Sequence, residues 1–396
     1  MSFSEWREVK LGEIINLNYG KGLSATKRNP GNIPVYSSAG ITGWHDKALI
    51  KKNGIVVGRK GTVGTVYYSE TPFYCIDTAY YLTEDDTKED LKYLYYLLNH
   101  LPLKKLNTDS AVPGLNRDNA YSQVFSLPPI QEQKSIAHIL STLDNKIEVN
   151  NQINKTLENM AQAIFKQWFV DFEFPNEDGE PYKSSGGEMI ESELGMIPKG
   201  WEVKGLDEIA EFLNGLAMQK FRPEENEKAY PVLKIKELRQ GRTDESSDLC
   251  SSNIDEKYIV RDGDIIFSWS GSLLVDIWCG GNCGLNQHLF KVTSDKFDGW
   301  FVYQWNKYHL DRFVNIAKSK ATTMGHIKRK DLSDSKVLIP SDKIYLKAAQ
   351  HQKYLFEKIK YSKIEMKRLE EIRDALLPKL MSGKIRVPLD SEGDVS

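Results

Sequence analysis

The chain carries one pattern twice, and this internal repeat limits the possible folds more than any other feature. Residues 6–14 (WREVKLGEI) return as residues 201–209 (WEVKGLDEI). Residues 127–128 (LP) return 212 positions later as residues 339–340 (IP), and a stretch with helical spacing follows each proline at that same offset. Such a repeat predicts two copies of one folding unit with an internal pseudo-two-fold relation.

Two long helices are predicted by apolar residues at alternating spacings of four and three. The pattern lasts about four heptads in each copy, as in a coiled-coil seam, and would make residues 131–169 a rod of about 58 Å. Polar residues such as Asn154 and Ser362 interrupt the seam and fix its register. Two unrelated core helices are the alternative, but they would not share one phase. The predicted seam residues are Leu140, Leu143, Ile147, Asn150, Leu157, Ile164, Leu355, Ile359, Met366, Leu369 and Leu376.

The regions outside these helices mix short strands with helical patches. Residues 54–58 and 264–268 are β-rich, whereas residues 91–98 and 300–305 are helical patches at matching places in the two halves. The predicted fold class is therefore α+β, with a mixed sheet and helices in each globular unit. The predicted segments are a globular unit at 1–127, a long helix at 128–172, an acidic linker at 173–197, a globular unit at 198–340, a long helix at 341–385 and a tail at 386–396.

Charge is distributed unevenly along the chain, although 53 Lys and Arg nearly balance 55 Asp and Glu. Residues 170–197 hold eight acids and one lysine around a serine- and glycine-rich turn, which is typical of a solvated linker. Residues 19–68 hold eight bases and one acid, and residues 312–330 hold six bases and no acid. Basic clusters with interleaved glycine and hydroxyl residues indicate phosphate binding, and a solvated basic face is the alternative.

The sequence offers no recognisable catalytic motif. Residues 58–64 (GRKGTVG) match neither phosphate-binding glycine pattern, and no nucleophile elbow, His-Glu-x-x-His or clustered acidic pair is present. Cys279, Cys283 and His288 could be three metal ligands, but structural zinc needs four and a closer cysteine spacing, so no metal is predicted. Residues 286–288 (NQH) carry groups that pair with base edges, and buried structural amides are the alternative.

The expected location is the cytoplasm, without membrane contact. Four cysteines without regular spacing favour a reducing compartment. The longest apolar run is far below the roughly 20 residues that span a bilayer, and residues 1–7 show no basic-then-apolar signal.

Four segments resemble, in order, parts of the specificity subunit of type I restriction-modification systems. They are residues 127–134 (LPPIQEQK), 164–172 (IFKQWFVDF), 193–201 (ELGMIPKGW) and 376–385 (LLPKLMSGKI), and the resemblance extends over essentially the full chain. It implies two target-recognition domains that each bind half of a split double-stranded DNA site, held apart by two antiparallel helices. Arg373 at a seam position departs from the family pattern.

The resemblance also implies partners, and it implies that this chain is not itself an enzyme. Two methyltransferase subunits would bind S-adenosylmethionine, and restriction subunits would bind ATP and Mg, so that no cofactor is expected on this chain. The rival hypotheses are a stand-alone nuclease with a divergent centre and a coiled-coil scaffold that binds no DNA. The lack of an acidic pair argues against the first, and the basic cluster at residues 19–68 argues against the second.

The predicted DNA contacts combine the basic clusters with segments that resemble the family. Residues 58–64 resemble a DNA-facing loop of first domains, and residues 268–271, 286–288 and 323–326 resemble parts of a common second domain. The predicted residues are Lys21, Lys27, Arg28, Arg59, Lys60, Thr62, Asn116 and Arg117, followed by Ser268, Ser270, Asn286, Gln287, His288, Lys318, Lys320, His326, Lys328 and Arg329.

Overall fold

Two compact units form the protein in a computed structural model that describes residues 5–106, 114–319 and 325–387. Unit 1 comprises Met1–Lys146 with Leu369–Ser396, and unit 2 comprises Ile147–Arg368. Both long helices contribute a segment to each unit. Each unit therefore combines one globular region with parts of two helices, and the sequence-based segment boundaries stay a prediction.

The first half of the chain contains a four-stranded and a three-stranded sheet, and it ends in the first long helix. Its strands are β1 (Arg7–Lys10), β2 (Asn18–Tyr19), β3 (Ile33–Ser37), β4 (Gly40–His45), β5 (Gly54–Gly58), β6 (Val66–Ser69), β7 (Tyr74–Cys75), β8 (Ala79–Leu82) and β9 (Val124–Leu127). Its helices are α1 (Leu11–Ile14), α2 (Leu91–His100), α3 (Arg117–Tyr121) and α4 (Ile130–Phe169). The strand orders are β2-β8-β5-β6 and β4-β3-β7, and β1 pairs with β9.

The second half contains two four-stranded sheets and ends in the second long helix. Its strands are β10 (Met189–Ser192), β11 (Gly195–Pro198), β12 (Glu202–Gly205), β13 (Glu211–Asn214), β14 (Ala229–Leu233), β15 (Leu249–Ser251), β16 (Ile259–Val260), β17 (Ile265–Ser268), β18 (Leu274–Ile277), β19 (Cys283–Leu285), β20 (Leu289–Thr293) and β21 (Lys336–Ile339). Its helices are α5 (Leu206–Ile209), α6 (Ile235–Gln240), α7 (Gly299–Ser319), α8 (Arg329–Ser333) and α9 (Asp342–Met381). The strand orders are β13-β20-β17-β18 and β15-β14-β19-β16, and β12 pairs with β21.

The predicted repeat is present in the topology. The sheet β2-β8-β5-β6 has the same order and antiparallel pairing as β13-β20-β17-β18. The pair β1–β9 corresponds to β12–β21, and α9 begins and ends 212 residues after α4 begins and ends. The α+β class and the internal repeat are therefore confirmed.

In unit 1, the beginning of α4 packs against the end of α9. Ile136 and Leu140 are buried in one core cluster with Leu380. Arg373 donates from Nη1 to Oδ1 of Asp144 at 2.8 Å, so this charged residue at a seam position has an acidic partner on the other helix. Because early residues of one helix meet late residues of the other, the two segments run antiparallel.

In unit 2, the remaining parts of the two helices also pair antiparallel. Gln352 donates to the carbonyl of Ala161 at 2.8 Å, and Asn150 donates to Glu365 at 2.9 Å. Every predicted seam residue is buried or half-buried. The polar seam residue Asn150 thus has a specific partner, which fits a role in fixing register.

The acidic segment 173–197 belongs to unit 2, and some of its side chains pack into the core of that unit. Phe174 is buried, and its ring stacks on Trp201 with centroids 5.4 Å apart. Ile197, in the β10–β11 hairpin, is buried in the same cluster. The segment also holds exposed acids and the exposed apolar residues Ile190, Leu194 and Met196, and its assignment as a linker stays a prediction.

His309 should make unit 2 less stable at mildly acidic pH. Its Nε2 donates to the carbonyl of Lys336 at 2.9 Å, and burial lowers the pKa of His309 to about 4. Unfolded histidine titrates near 6.5, so the unfolded chain binds more protons below that pH. The contribution of neutral His309 is complete above about pH 6.5 and is lost as the pH falls towards about 4, with about 2 kcal/mol gone at pH 5.

Urea unfolding of the full chain at pH 7.5 and pH 5 measures this loss. The variant His309→Phe cannot bind the proton, so its free energy of unfolding should fall by about 2 kcal/mol less between the two pH values. An equal fall in both proteins would contradict the assignment.

Candidate nucleic-acid interface

In unit 1, the loop that follows β5 holds an arginine in a fixed position. The backbone amides of Arg59 and Lys60 both donate to the carbonyl of Thr78, at 2.9 and 3.0 Å. The Arg59 guanidinium donates to the carbonyl of Asp77 at 3.1 Å. Gly64 closes the loop at a positive φ of 72°, where a Cβ would lie 2.5 Å from the carbonyl carbon of Leu103, so only glycine fits. The backbone therefore fixes where this side chain emerges.

An exposed tyrosine beside this loop has two arginines close to its ring. The guanidinium carbons of Arg59 and Arg117 lie 4.9 and 5.4 Å from the centre of the Tyr19 ring. Tyr19 is 49% exposed, and Arg117 also donates to the carbonyl of Leu17 at 3.4 Å. Tyr19 was not among the predicted site residues, although an aromatic residue at the edge of a basic cluster was an available signal.

The other predicted DNA contacts of unit 1 differ in whether their side chains are exposed or bonded within the protein. Lys21, Lys27, Lys60 and Thr62 are exposed. Arg28 instead donates to the carbonyl of Thr42 at 2.7 Å and braces the β3–β4 hairpin.

Asn116 has a structural function as well. Its side chain accepts a hydrogen bond from the amide of Asp118 at 2.7 Å and caps α3. Since Arg117 is the first residue of α3, this cap helps to position Arg117.

In unit 2, the loop after β17 presents a tryptophan. Trp269 donates from its indole to Asn214 at 2.9 Å, and its ring stacks on Phe290 with centroids 5.6 Å apart. Ser270 Oγ lies 3.1 Å from Nδ1 of His288. Tryptophan, histidine and serine side chains are therefore held together at the end of β17.

Several residues that we predicted as DNA contacts in unit 2 are buried. Ser268 has no exposed surface and donates to the carbonyl of Ser272 at 2.9 Å. Ser270 is 5% exposed and Asn286 is 8% exposed, with Oδ1 of Asn286 accepting from the amide of His288 at 3.2 Å. For Asn286 this burial and hydrogen bond fit the alternative of a buried structural amide. These three residues shape the loops, whereas Gln287 and His288 are half-exposed.

Among the predicted basic residues of unit 2, Lys318 lies near the end of α7, Lys328 directly precedes α8 and Arg329 begins it. Lys318, His326 and Lys328 are exposed, and Lys320 lies outside the described residues. Arg329 donates to the carbonyl of Phe212 at 3.2 Å and lies 5.8 Å from the ring centre of Phe290.

No group of potential metal ligands is found among the residues that the structure describes. Cys279 and Cys283 are buried and free, and burial raises the pKa of their thiols to about 11 and about 12. They are therefore protonated at neutral pH, which suits packing and not metal binding. No helix in the described ranges is both long and apolar enough to cross a membrane.

Comparisons with known proteins identify similar chains. The sequence profile described as "Type I restriction modification DNA specificity domain" matches residues 3–159 and 198–373. The type I restriction enzyme MjaIX specificity subunit of Methanocaldococcus jannaschii is 33% identical over 310 residues, covering 75% of this chain and 69% of that protein. The HindI specificity subunit of Haemophilus influenzae is 24% identical over 459 residues, covering 96% and 100%. A crystal structure of an S subunit from M. genitalium has 20% identity and a TM-score of 0.60 over 96% of each chain, and shows a shared fold.

Proposed function

Because this chain belongs to the family of type I restriction-modification specificity subunits, we propose that its two units recognise the two halves of a split, asymmetric DNA sequence. The chain is the DNA-sequence recognition subunit of such a system and not its catalytic component. Each unit would bind one half-site, and the base pairs between the halves would not be contacted. The cytoplasm, where the DNA lies, is the proposed location.

One observation carries this proposal: equivalent positions in the two units have different side chains. Tyr19 pairs with Tyr80 between β2 and β8, and Asn214 pairs with Phe290 at the same point between β13 and β20. Next to these pairs, the loop after the central strand presents an arginine in unit 1 and Trp269 in unit 2. A common scaffold with unequal side chains supports recognition of two different half-sites.

Exposed apolar residues on the long helices support two methyltransferase subunits as partners. Val149, Ile153 and Met160 are exposed along one face of α4. Tyr361 and Ile372 are exposed on α9 at positions 212 residues after Val149 and Met160. Exposed apolar stripes at equivalent positions suit two copies of one protein partner. In this proposal S-adenosylmethionine belongs to the methyltransferase, and ATP and Mg belong to the restriction subunits.

Cells that contain the methyltransferase subunits should gain a new methylated-adenine motif when this chain is added. The motif is expected to have two unequal halves and an unread gap. Genome-wide mapping of methylated adenine, with and without the chain, measures it. A motif that is continuous or symmetric, or no new motif, would contradict the proposal.

A further inference from the structure

Side chains that the two units share can be separated from those that differ. Arg117 and Arg329 each begin an equivalent short helix, and the two residues are 212 positions apart. Arg117 donates to the carbonyl of Leu17, and Arg329 donates to the carbonyl of Phe212, which occupies the same place in its unit. An arginine that makes the same backbone contact in both units provides no difference by which two half-sites could be distinguished.

Arg59 and Trp269 occupy one equivalent position with different side chains. The amide of Arg59 donates to the carbonyl of Thr78, and the amide of Trp269 donates to the carbonyl of His288. Immediately after this residue, Lys60 bridges to Gly114, and in unit 2 Ser270 bridges to His326. The two backbones therefore follow the same path while their side chains differ, which is what a specificity-determining position requires.

The Arg59 guanidinium is held in place before any ligand binds. The ring of Tyr19 lies against it at 4.9 Å, and the carbonyl of Asp77 accepts one of its N–H groups at 3.1 Å. It forms no ion pair with a carboxylate in the part of the chain that the structure describes, and it is half-exposed. Its planar fork carries further N–H groups, in the geometry that a ligand with two adjacent acceptors requires.

We propose that Arg59 binds a guanine in the half-site of unit 1, donating to O6 and N7 in the major groove. This inference rests on the proposed function. A guanidinium held by an aromatic ring and by a backbone carbonyl loses little rotational freedom when it binds a ligand. Such a fixed donor is suited to the edge of a base, where the acceptors have a defined geometry, more than to a phosphate. Trp269 has a single N–H, already donated to Asn214, so unit 2 cannot bind guanine in this way. The two half-sites therefore differ at this position.

The test compares Arg59→Gln with the matched variant Lys60→Gln in the complex with methyltransferase subunits. Both changes remove one positive charge, and the residues are neighbours in the same loop. Arg59→Gln should relax one G·C position in one half-site, lowering discrimination there about tenfold to a hundredfold. Lys60→Gln should keep the motif and lower DNA affinity for all sites alike. Arg59→Lys retains the charge without the planar fork, so its affinity should exceed that of Arg59→Gln while discrimination stays reduced.

Methylated motifs and salt-dependent DNA binding are measured for each complex. Retention of every motif position by Arg59→Gln, with a uniform loss of affinity like that of Lys60→Gln, would make Arg59 a phosphate contact and overturn the inference. A relaxed position that is not G·C would also overturn it. If the wild-type complex has no motif that depends on this chain, the proposed function itself fails, and the inference fails with it. Thermal unfolding of each complex identifies loss of fold, in which case Arg59→Lys decides the outcome by the same criteria.

Discussion

Deletion of one heptad from each long helix is expected to shorten the gap in the recognised DNA sequence by about 3 base pairs. Seven helical residues rise about 10 Å, and DNA rises 3.4 Å per base pair along each strand. The best deletion removes residues 146–152 from α4 and residues 364–370 from α9. It keeps the heptad phase of both helices, so the seam residues on either side of the deletion still face the partner helix.

This deletion also keeps two ionic contacts beside it. Asp144 and Arg373 both remain, and so does Lys363, which contacts Asp276. Asn150 and Glu365, which form a hydrogen bond with each other, are removed together, so neither is left without its partner.

The gap is measured by mapping methylated motifs in cells with the shortened chain. The matched control deletes residues 146–152 from α4 alone, which leaves helices of unequal length and should abolish methylation of any motif. An unchanged gap in the double deletion would mean that the helices do not set the separation of the half-sites.

The sequence predicted the repeat and the long helices because their signal is local and periodic. The helix predicted over residues 131–169 begins one residue earlier in the structure, at Ile130, and α9 lies at the same offset of 212. A heptad pattern can be recognised without information on distant contacts, because the spacing of apolar residues along the chain is enough to predict which face of the helix is buried. The β-rich run predicted at residues 54–58 is likewise a strand in the structure.

The equivalence of the two candidate sites could not be predicted, because it depends on strand pairing. Leu17 corresponds to Phe212 at an offset of 195, whereas Arg59 corresponds to Trp269 at an offset of 210. Insertions of different length change the offset from element to element, and the side chains at the site differ. The register of strand pairing in the sheets is needed to match each such position in unit 1 with its equivalent in unit 2.

Burial was the other quantity that the sequence did not reveal. Ser268 and Asn286 have the same polar groups whether they face DNA or hold a loop, and the structure places both in the interior. Tyr19, in contrast, was not predicted as a site residue and served only to mark the beginning of the basic cluster. Its importance comes from Arg117, nearly a hundred residues away in sequence and adjacent only after folding.

Charged substitutions on the exposed apolar stripes should each remove one methyltransferase subunit from the complex. Val149→Glu with Met160→Glu changes the stripe of α4, and Tyr361→Glu with Ile372→Glu changes the equivalent positions of α9. Val149 is 48% exposed and Tyr361 is 64% exposed, so neither pair of substitutions disturbs a packed core. A carboxylate in an apolar interface is desolvated without a partner, and each double variant should weaken binding at its own stripe at least about 100-fold.

Native mass spectrometry of the assembled complex measures this effect as stoichiometry. The wild-type chain should carry two methyltransferase subunits, either double variant should carry one, and the combined variant should carry none. Lys155→Glu lies on another face of α4 and is exposed, so it serves as the control that should retain two. Because the two stripes occupy equivalent positions in the repeat, the two double variants should have equal effects. Retention of two subunits by both would place the methyltransferase contacts on other faces of the helices.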